Sequence, residues 1–203
     1  MSLSLSTKHA AVIALAALIG LAGCSTKVSR IETDEVRDLS GKWNDTDSRL
    51  VSEEMIGQML EGAWVNNHVR RHGKQPTVIV GTVKNLSHEH VNVNTFVADI
   101  ERAVINSGRV EFVASRDERG EIREERKDMD VHASEATRKA MGQEIGADYM
   151  LTGSINTIVD KEGKTAVRYY QVDMNLISLT DNRKVWVGQK KIKKVVEKPG
   201  MRL

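Results

Sequence analysis

An unbroken apolar run occupies residues 10–22 (AAVIALAALIGLA), behind a single basic residue, Lys8. Its length suits the apolar region of an export signal and falls short of the ~20 residues that span a bilayer. Residues 24–45 are polar, with isolated Ile31, Val36 and Leu39 and no sustained period, which predicts a mostly disordered tether. Leu50, Val51, Met55, Met59, Leu60 and Ala63 then recur at helical spacing, predicting a first helix capped by Thr46 or Asp47 and closed by Trp64. The basic stretch 68–74 reads as a loop or frayed last turn, with Gly73 as the stop. A β-branched run predicts a strand over 78–83 and a turn over 85–90. A helix over 96–106 follows, capped by Asn94 or Thr95, with Phe96, Val97, Ile100, Val104 and Ile105 inward and Gly108 as its end. With a short strand over 110–113 this makes a β-α-β unit, hence parallel strands joined by a right-handed crossover.

The second half changes period. Residues 117–128 mix both signs of charge densely and predict an exposed helix. Ser134 opens another helix through Ile145, stopped by Gly146. Tyr149, Leu151, Ile155 and Val159 then alternate along one strand, and Tyr170, Val172, Met174 and Leu176 along the next. Turns over 161–164 and 180–183 separate these from a third strand over 185–196. The expected fold is a single α/β domain over 46–198. Its mixed sheet of about five strands ends in an antiparallel meander, flanked by three to four helices.

The four residues that end the first apolar run carry a processing signal. Leu21-Ala22-Gly23-Cys24 resembles the bacterial lipobox, at which a signal peptidase cuts before a diacylated cysteine. The expectation is loss of residues 1–23 and lipidation of Cys24. Each buried methylene of the acyl chains contributes ~0.8 kcal/mol, so several chains anchor stably. Ser25, rather than Asp, follows the cysteine and by resemblance to known sorting rules favours the outer membrane. Cys24 is the only cysteine, so no disulfide is expected and the domain must rest on its core. Thirty basic residues against 28 acidic give a net charge of +2. That balance speaks against nucleic acid as the partner, which favours a strong basic excess. Nothing after Ala22 is long and apolar enough for a membrane helix.

The chain carries no phosphate-cradling glycine loop, no Gly-x-Ser-x-Gly elbow and no free cysteine nucleophile, so neither catalysis nor a cofactor is expected. His68 and His72 are spaced as a helical zinc pair but lack the adjacent Glu and a third ligand, and read as solvated loop histidines. His88 and His90 flank an exposed turn. Asp45 and Asp47 read as helix-capping residues rather than an acid–base pair. Residues 116–130 read as a solvated face. Lys190, Lys191, Lys193, Lys194 and Lys198 admit two readings: an edge strand blunted against aggregation, or contact with an acidic partner, anionic lipid or cell-wall polymer. Trp64 and Trp186 read as core, and Trp43 as either a staple for the tether or a partner contact.

Three segments carry a resemblance. They are Trp43-Asn44-Asp45-Thr46-Asp47-Ser48-Arg49-Leu50; then Pro76-Thr77-Val78-Ile79-Val80 leading to Val83-Lys84-Asn85 and the Asn94-Thr95 helix start; and residues 140–157 (AMGQEIGADYMLTGSINT). In this order, behind a lipobox, they resemble the LpoB family of outer-membrane lipoproteins that activate penicillin-binding proteins. The resemblance implies a domain similar to the amino-terminal domain of TolB, facing the periplasm. It implies a bifunctional, class A peptidoglycan synthase as partner and no enzymatic activity of the chain itself. Enterobacterial members carry a long proline-rich tether, whereas here about 20 polar residues reach at most ~75 Å. Arg168 and Tyr169 are the expected partner contacts, since Arg and Tyr often anchor interfaces. The alternative is a relative of the secretion lipoprotein CsgG, which shares the Gly-Ala-Asp-then-strand pattern. That family builds its pore from membrane strands of ~9–11 alternating residues. Residues 168–179 have the length, but their polar positions suit a domain sheet.

Overall fold

The computed structural model describes residues 28–135 and 144–197. Residues 28–35 fall outside the main unit and contain a single turn, closed by the Glu35 amide donating to the Glu32 carbonyl at 3.2 Å. From Val36 onward the chain forms one compact α/β unit. Its described elements are α1 (Asp45–Glu61), α2 (Ala63–His72), β1 (Thr77–Asn85), α3 (Val93–Asn106), β2 (Glu111–Phe112), α4 (Arg116–His132), β3 (Tyr149–Glu162), β4 (Thr165–Ser178) and β5 (Lys184–Glu197). The helix expected between Ser134 and Ile145 lies largely at 136–143, outside the described residues; residues 144–147 enter β3 without regular structure.

The five strands form one sheet in the order β2-β1-β3-β4-β5. β1 pairs parallel with both β2 and β3, while β3–β4 and β4–β5 are antiparallel. The fold class and the closing meander are thus as the periodicity indicates. The core lies between the sheet and helices α1 and α3. Val51, Met55 and Met59 of α1 and Phe96, Ile100 and Val104 of α3 meet Val78, Leu151, Ile155, Val172, Met174 and Leu176 of the strands. Each such side chain stabilises by ~1.5–3 kcal/mol on burial.

The helices differ from expectation in their ends. Asn44, not Thr46 or Asp47, caps α1. Its side chain accepts from the Asp47 amide at 3.1 Å while the Asp47 carboxylate accepts from the Asn44 amide at 3.0 Å. This reciprocal box satisfies two amides at once, which a lone Thr or Asp cap cannot do. Asn92 caps α3, and Ile105 lies exposed at its far end.

The larger correction concerns residues 68–74. Residues 68–72 are the end of a second helix rather than a loop, and Gly73 is its stop as expected. Gly62, with φ −59° and ψ 138°, breaks the helical path, and a Cβ there would meet the Trp64 ring at 2.8 Å and the Trp186 ring at 3.1 Å. The chain resumes as α2 and buries Trp64, Val65 and His68. It ends at Gly73, whose φ of 67° is the left-handed cap that glycine adopts without steric cost. α4 buries no residue, as its charge density requires.

Candidate partner-binding surface

The meander strands outrun the rest of the sheet. β1 follows β3 only to the pair Asn85 and Ile155, whereas β3, β4 and β5 stay paired to Glu162, Thr165 and Glu197. Their distal half therefore stands beyond β1. Among the described helices only the first turn of α1 arrives on its inner face, through Asp47; residues 38–44 form a strap there, together with the loop after β1. The Trp43 ring meets Tyr170 edge-on at 5.5 Å, its amide donates to Glu89 at 3.0 Å and its indole N–H donates to the Ser48 hydroxyl at 2.9 Å. Trp43 is thus a staple. Tyr170 donates to the Glu89 carboxylate at 3.0 Å, and Arg168 pairs with the same carboxylate. Burial and the adjacent Glu89 push the Tyr170 hydroxyl up to about 12.

Lys194 of β5 closes the other side of the strap. Its ammonium donates to Asp38 at 2.8 Å, to Asp47 at 2.7 Å and to the Lys42 carbonyl at 3.3 Å. Burial alone would lower the Lys194 pKa, but the hydrogen bonds to Asp38 and Asp47 outweigh it and raise the value. Beside this clamp, Lys42, Trp43, His88, Glu89, His90, Thr157, Val159 and Arg168 line a cavity of about 500 Å³. The Arg168 Nε and the Thr157 hydroxyl are buried there without a protein partner.

The opposite face of the distal half carries Ile158, Tyr169 and Lys193 in one cross-strand row and Asp160, Val167 and Val195 in the next. Ile158 is 65%, Val195 63% and, nearer the middle of β5, Val187 60% exposed. Along the same face Tyr169 donates to Gln171 at 3.2 Å, Gln171 to Asp173 at 2.7 Å and Gln189 to Asp173 at 2.6 Å. An aromatic ring and exposed branched side chains beside an ordered polar ladder have the composition that protein interfaces ordinarily show.

Arg168 and Tyr169 are consecutive in β4 and so lie on opposite sheet faces. Arg168 is inward and committed to Glu89, while Tyr169 stands on the open face. Cys24 lies outside the described residues. Lys190 bonds Glu54 at 3.3 Å and Lys194 belongs to the clamp. Lys191 and Lys193 are exposed on the edge strand, and Lys198 is outside the described residues. Asp45 and Asp47 sit in the first turn of α1, where they favour the helix. Among the described residues no three His, Cys, Asp or Glu side chains gather as metal ligands.

His68 departs most from expectation: it is 2% exposed rather than solvated. Its Nδ1 lies 2.9 Å from the Tyr149 hydroxyl, its Nε2 lies 3.7 Å from Asp148, and its ring stacks on His72 at 4.5 Å. Burial lowers its pKa, with His72 and Lys74 acting in the same direction and Asp148 opposing. A histidine with a depressed folded pKa favours the folded state fully above its unfolded value of ~6.5. Below that pH the unfolded chain takes up the proton first and stability falls. The melting temperature should drop as pH goes from 7.5 to 5.5, and drop less in His68→Gln. Parallel profiles for the two chains would contradict the assignment.

The family model described as "Peptidoglycan-synthase activator LpoB" matches residues 47–192. The chain belongs to the LpoB family. No curated protein matches it by sequence. Among solved structures, the LpoB C-terminal domain from Salmonella enterica is 14% identical with a TM-score of 0.38, over 70% of this chain and 98% of that one. Escherichia coli LpoB, solved by NMR, is 13% identical with a TM-score of 0.37, over 88% and 84%. The lipoprotein GNA1162 from Neisseria meningitidis is 14% identical with a TM-score of 0.38, over 62% and 88%. In this LpoB-family chain the matched span runs from Asp47 of α1 into β5 and includes Tyr170 together with Ile158 and Tyr169 of the open face, while Trp43, Lys193, Lys194 and Val195 lie outside it.

Proposed function

We propose that the chain binds and stimulates a bifunctional, class A peptidoglycan synthase, without catalysing a reaction itself. Membership of a family described as peptidoglycan-synthase activators carries the reading. In this proposal Cys24 is lipidated after removal of residues 1–23. The domain is then held at the outer membrane, facing the periplasm. The partner docks on the distal half of the meander. Tyr169 on the open face is the central contact, and Arg168 serves from the inner cavity.

The strap bears on how far the domain reaches. Because the compact unit begins at Val36, residues 24–35 reach at most ~45 Å even fully stretched. The synthase would therefore have to approach the anchoring membrane rather than the domain cross the wall. The test is glycan polymerisation and cross-linking by the organism's class A synthases with and without the full chain. Stimulation of at least one is the expected result; neither binding nor stimulation of any would overturn the proposal.

A further inference from the structure

At the opposite end of the sheet from the strap, α2 and the turn between β4 and β5 enclose a second cavity. It measures about 200 Å³ and is lined by Trp64, Asn67, His68, Arg71, Tyr149, Arg183, Lys184 and Val185. Three cationic side chains border it and no carboxylate does. Neither Arg71 nor Lys184 has a hydrogen-bonded or ion-paired partner among the described residues. Arg183 is held by Asp181 at 2.6 Å through its Nε, which fixes its direction. Asp148, beside His68, is occupied by the Thr77 amide at 2.9 Å and by Lys74 at 3.9 Å.

Convergence of like charges is unfavourable unless something offsets it. The helix dipole accounts for Arg70 and Arg71 in the last turn of α2. The ion pair with Asp181 at 2.5 Å offsets Arg183, so the charge left without a compensating carboxylate is that of Lys184, which lines the same cavity from β5, across from Arg71. The floor is polar: His68 is buried, its Nδ1 lies 2.9 Å from the Tyr149 hydroxyl, and its Nε2, 3.7 Å from Asp148, has no hydrogen-bond partner. The walls are apolar, from the edge of Trp64 and from Val185. A small oxyanion fits the cationic rim, and the apolar walls favour one carried on a small apolar group.

We propose that this cavity is a binding site for the carboxylate of a small apolar residue, such as a peptide C-terminus, held by Arg71 and Lys184. The probes are N-acetyl-D-alanyl-D-alanine and inorganic phosphate, each titrated into the full chain in detergent. The Trp64 indole N–H resonance reports the site, with Trp43 and Trp186 as internal controls. The dipeptide should shift the Trp64 signal saturably and leave the controls in place. Arg71 and Lys184 are exposed, so Arg71→Ala/Lys184→Ala should fold as the parent does, which the same spectrum checks. Binding should weaken about tenfold or more in that variant, as expected for loss of charge-assisted contacts. Phosphate binding in preference to the dipeptide would overturn the carboxylate assignment. Neither probe binding, or equal binding by parent and variant, would overturn the site.

Discussion

Replacing Lys194 by methionine should destabilise the domain by about 3 kcal/mol, at the lower end of the cost of breaking a buried ion pair. The Asp47 side chain is only 2% exposed, and its carboxylate is 2.7 Å from the Lys194 ammonium. Removing the lysine leaves that charge desolvated, with the Asn44 amide as its remaining hydrogen-bond donor. The lysine also bonds Asp38 and the Lys42 carbonyl, so the strap loses its clamp as well. For a domain of this size the melting temperature should fall by about 6–12 °C. Urea unfolding followed by tryptophan fluorescence measures the change. A second substitution, Asp47→Asn, should recover part of the loss in the Lys194→Met background, because no buried charge then remains. Asp38 is more exposed, and Asp38→Asn alone should cost at most about 1 kcal/mol. Lys194→Met as stable as the parent would show that the clamp contributes nothing.

The clamp and the buried histidine also divide the pH axis. A lysine whose folded pKa is raised contributes fully below its ordinary value near 10.5 and loses that contribution as pH rises through the folded value. The hydrogen bond from Lys194 holds Asp38 below its ordinary value of 3.8, so its contribution is present above that value and lost as pH falls through the folded one. Across neutral pH both are constant. Of these groups, only His68 changes its contribution between pH 7.5 and 5.5.

Most of the architecture was legible because burial imposes a period. β4 alternates buried and less buried residues from Tyr170 to Ser178, and that alternation shows in the sequence as a two-residue repeat of apolar side chains. The same parity places Arg168 and Tyr169 on opposite faces, which follows from the strand period alone. The second helix was hidden for a physical reason. Its buried face is built from Trp64, Val65 and His68, and a histidine among arginines registers as polar. What buries it is contact with Tyr149, 81 residues away. The strap was hidden for a similar reason. Asp38 and Lys194 are 156 residues apart, and neither has a neighbour in sequence that marks it as paired. Gly41 is equally silent, although a Cβ there would lie 2.2 Å from the Val196 side chain. Local propensity and period report secondary structure; the clamp depends on where the extra length of the meander places its inner face.

That extra length leads to the second large effect, on partner binding. Tyr169→Ala combined with Ile158→Ser should weaken binding to the synthase by about 30-fold or more, the loss of one aromatic hot spot worth about 2 kcal/mol. The two residues are direct cross-strand neighbours, so they form one contact patch rather than two. Ile158 is largely exposed and Tyr169 makes one side-chain hydrogen bond, to Gln171, so unfolding free energy should change little. Arg168→Ala makes the contrast. It leaves Glu89 with the Tyr170 hydroxyl and the Trp43 amide but without its cation, in a pocket where the carboxylate is mostly buried. That variant should lose stability as well as binding, whereas the open-face pair should lose binding alone. Binding measured with the purified synthase, beside urea unfolding of each variant, separates the two. Full binding by Tyr169→Ala/Ile158→Ser would remove the open face from the interface and leave the strap side as the surface to test. The expectation rests on position: on the outer face of the distal half Ile158 and Val195 are exposed and Tyr169 pairs directly with Ile158, on strands that the strap and clamp pack against from behind.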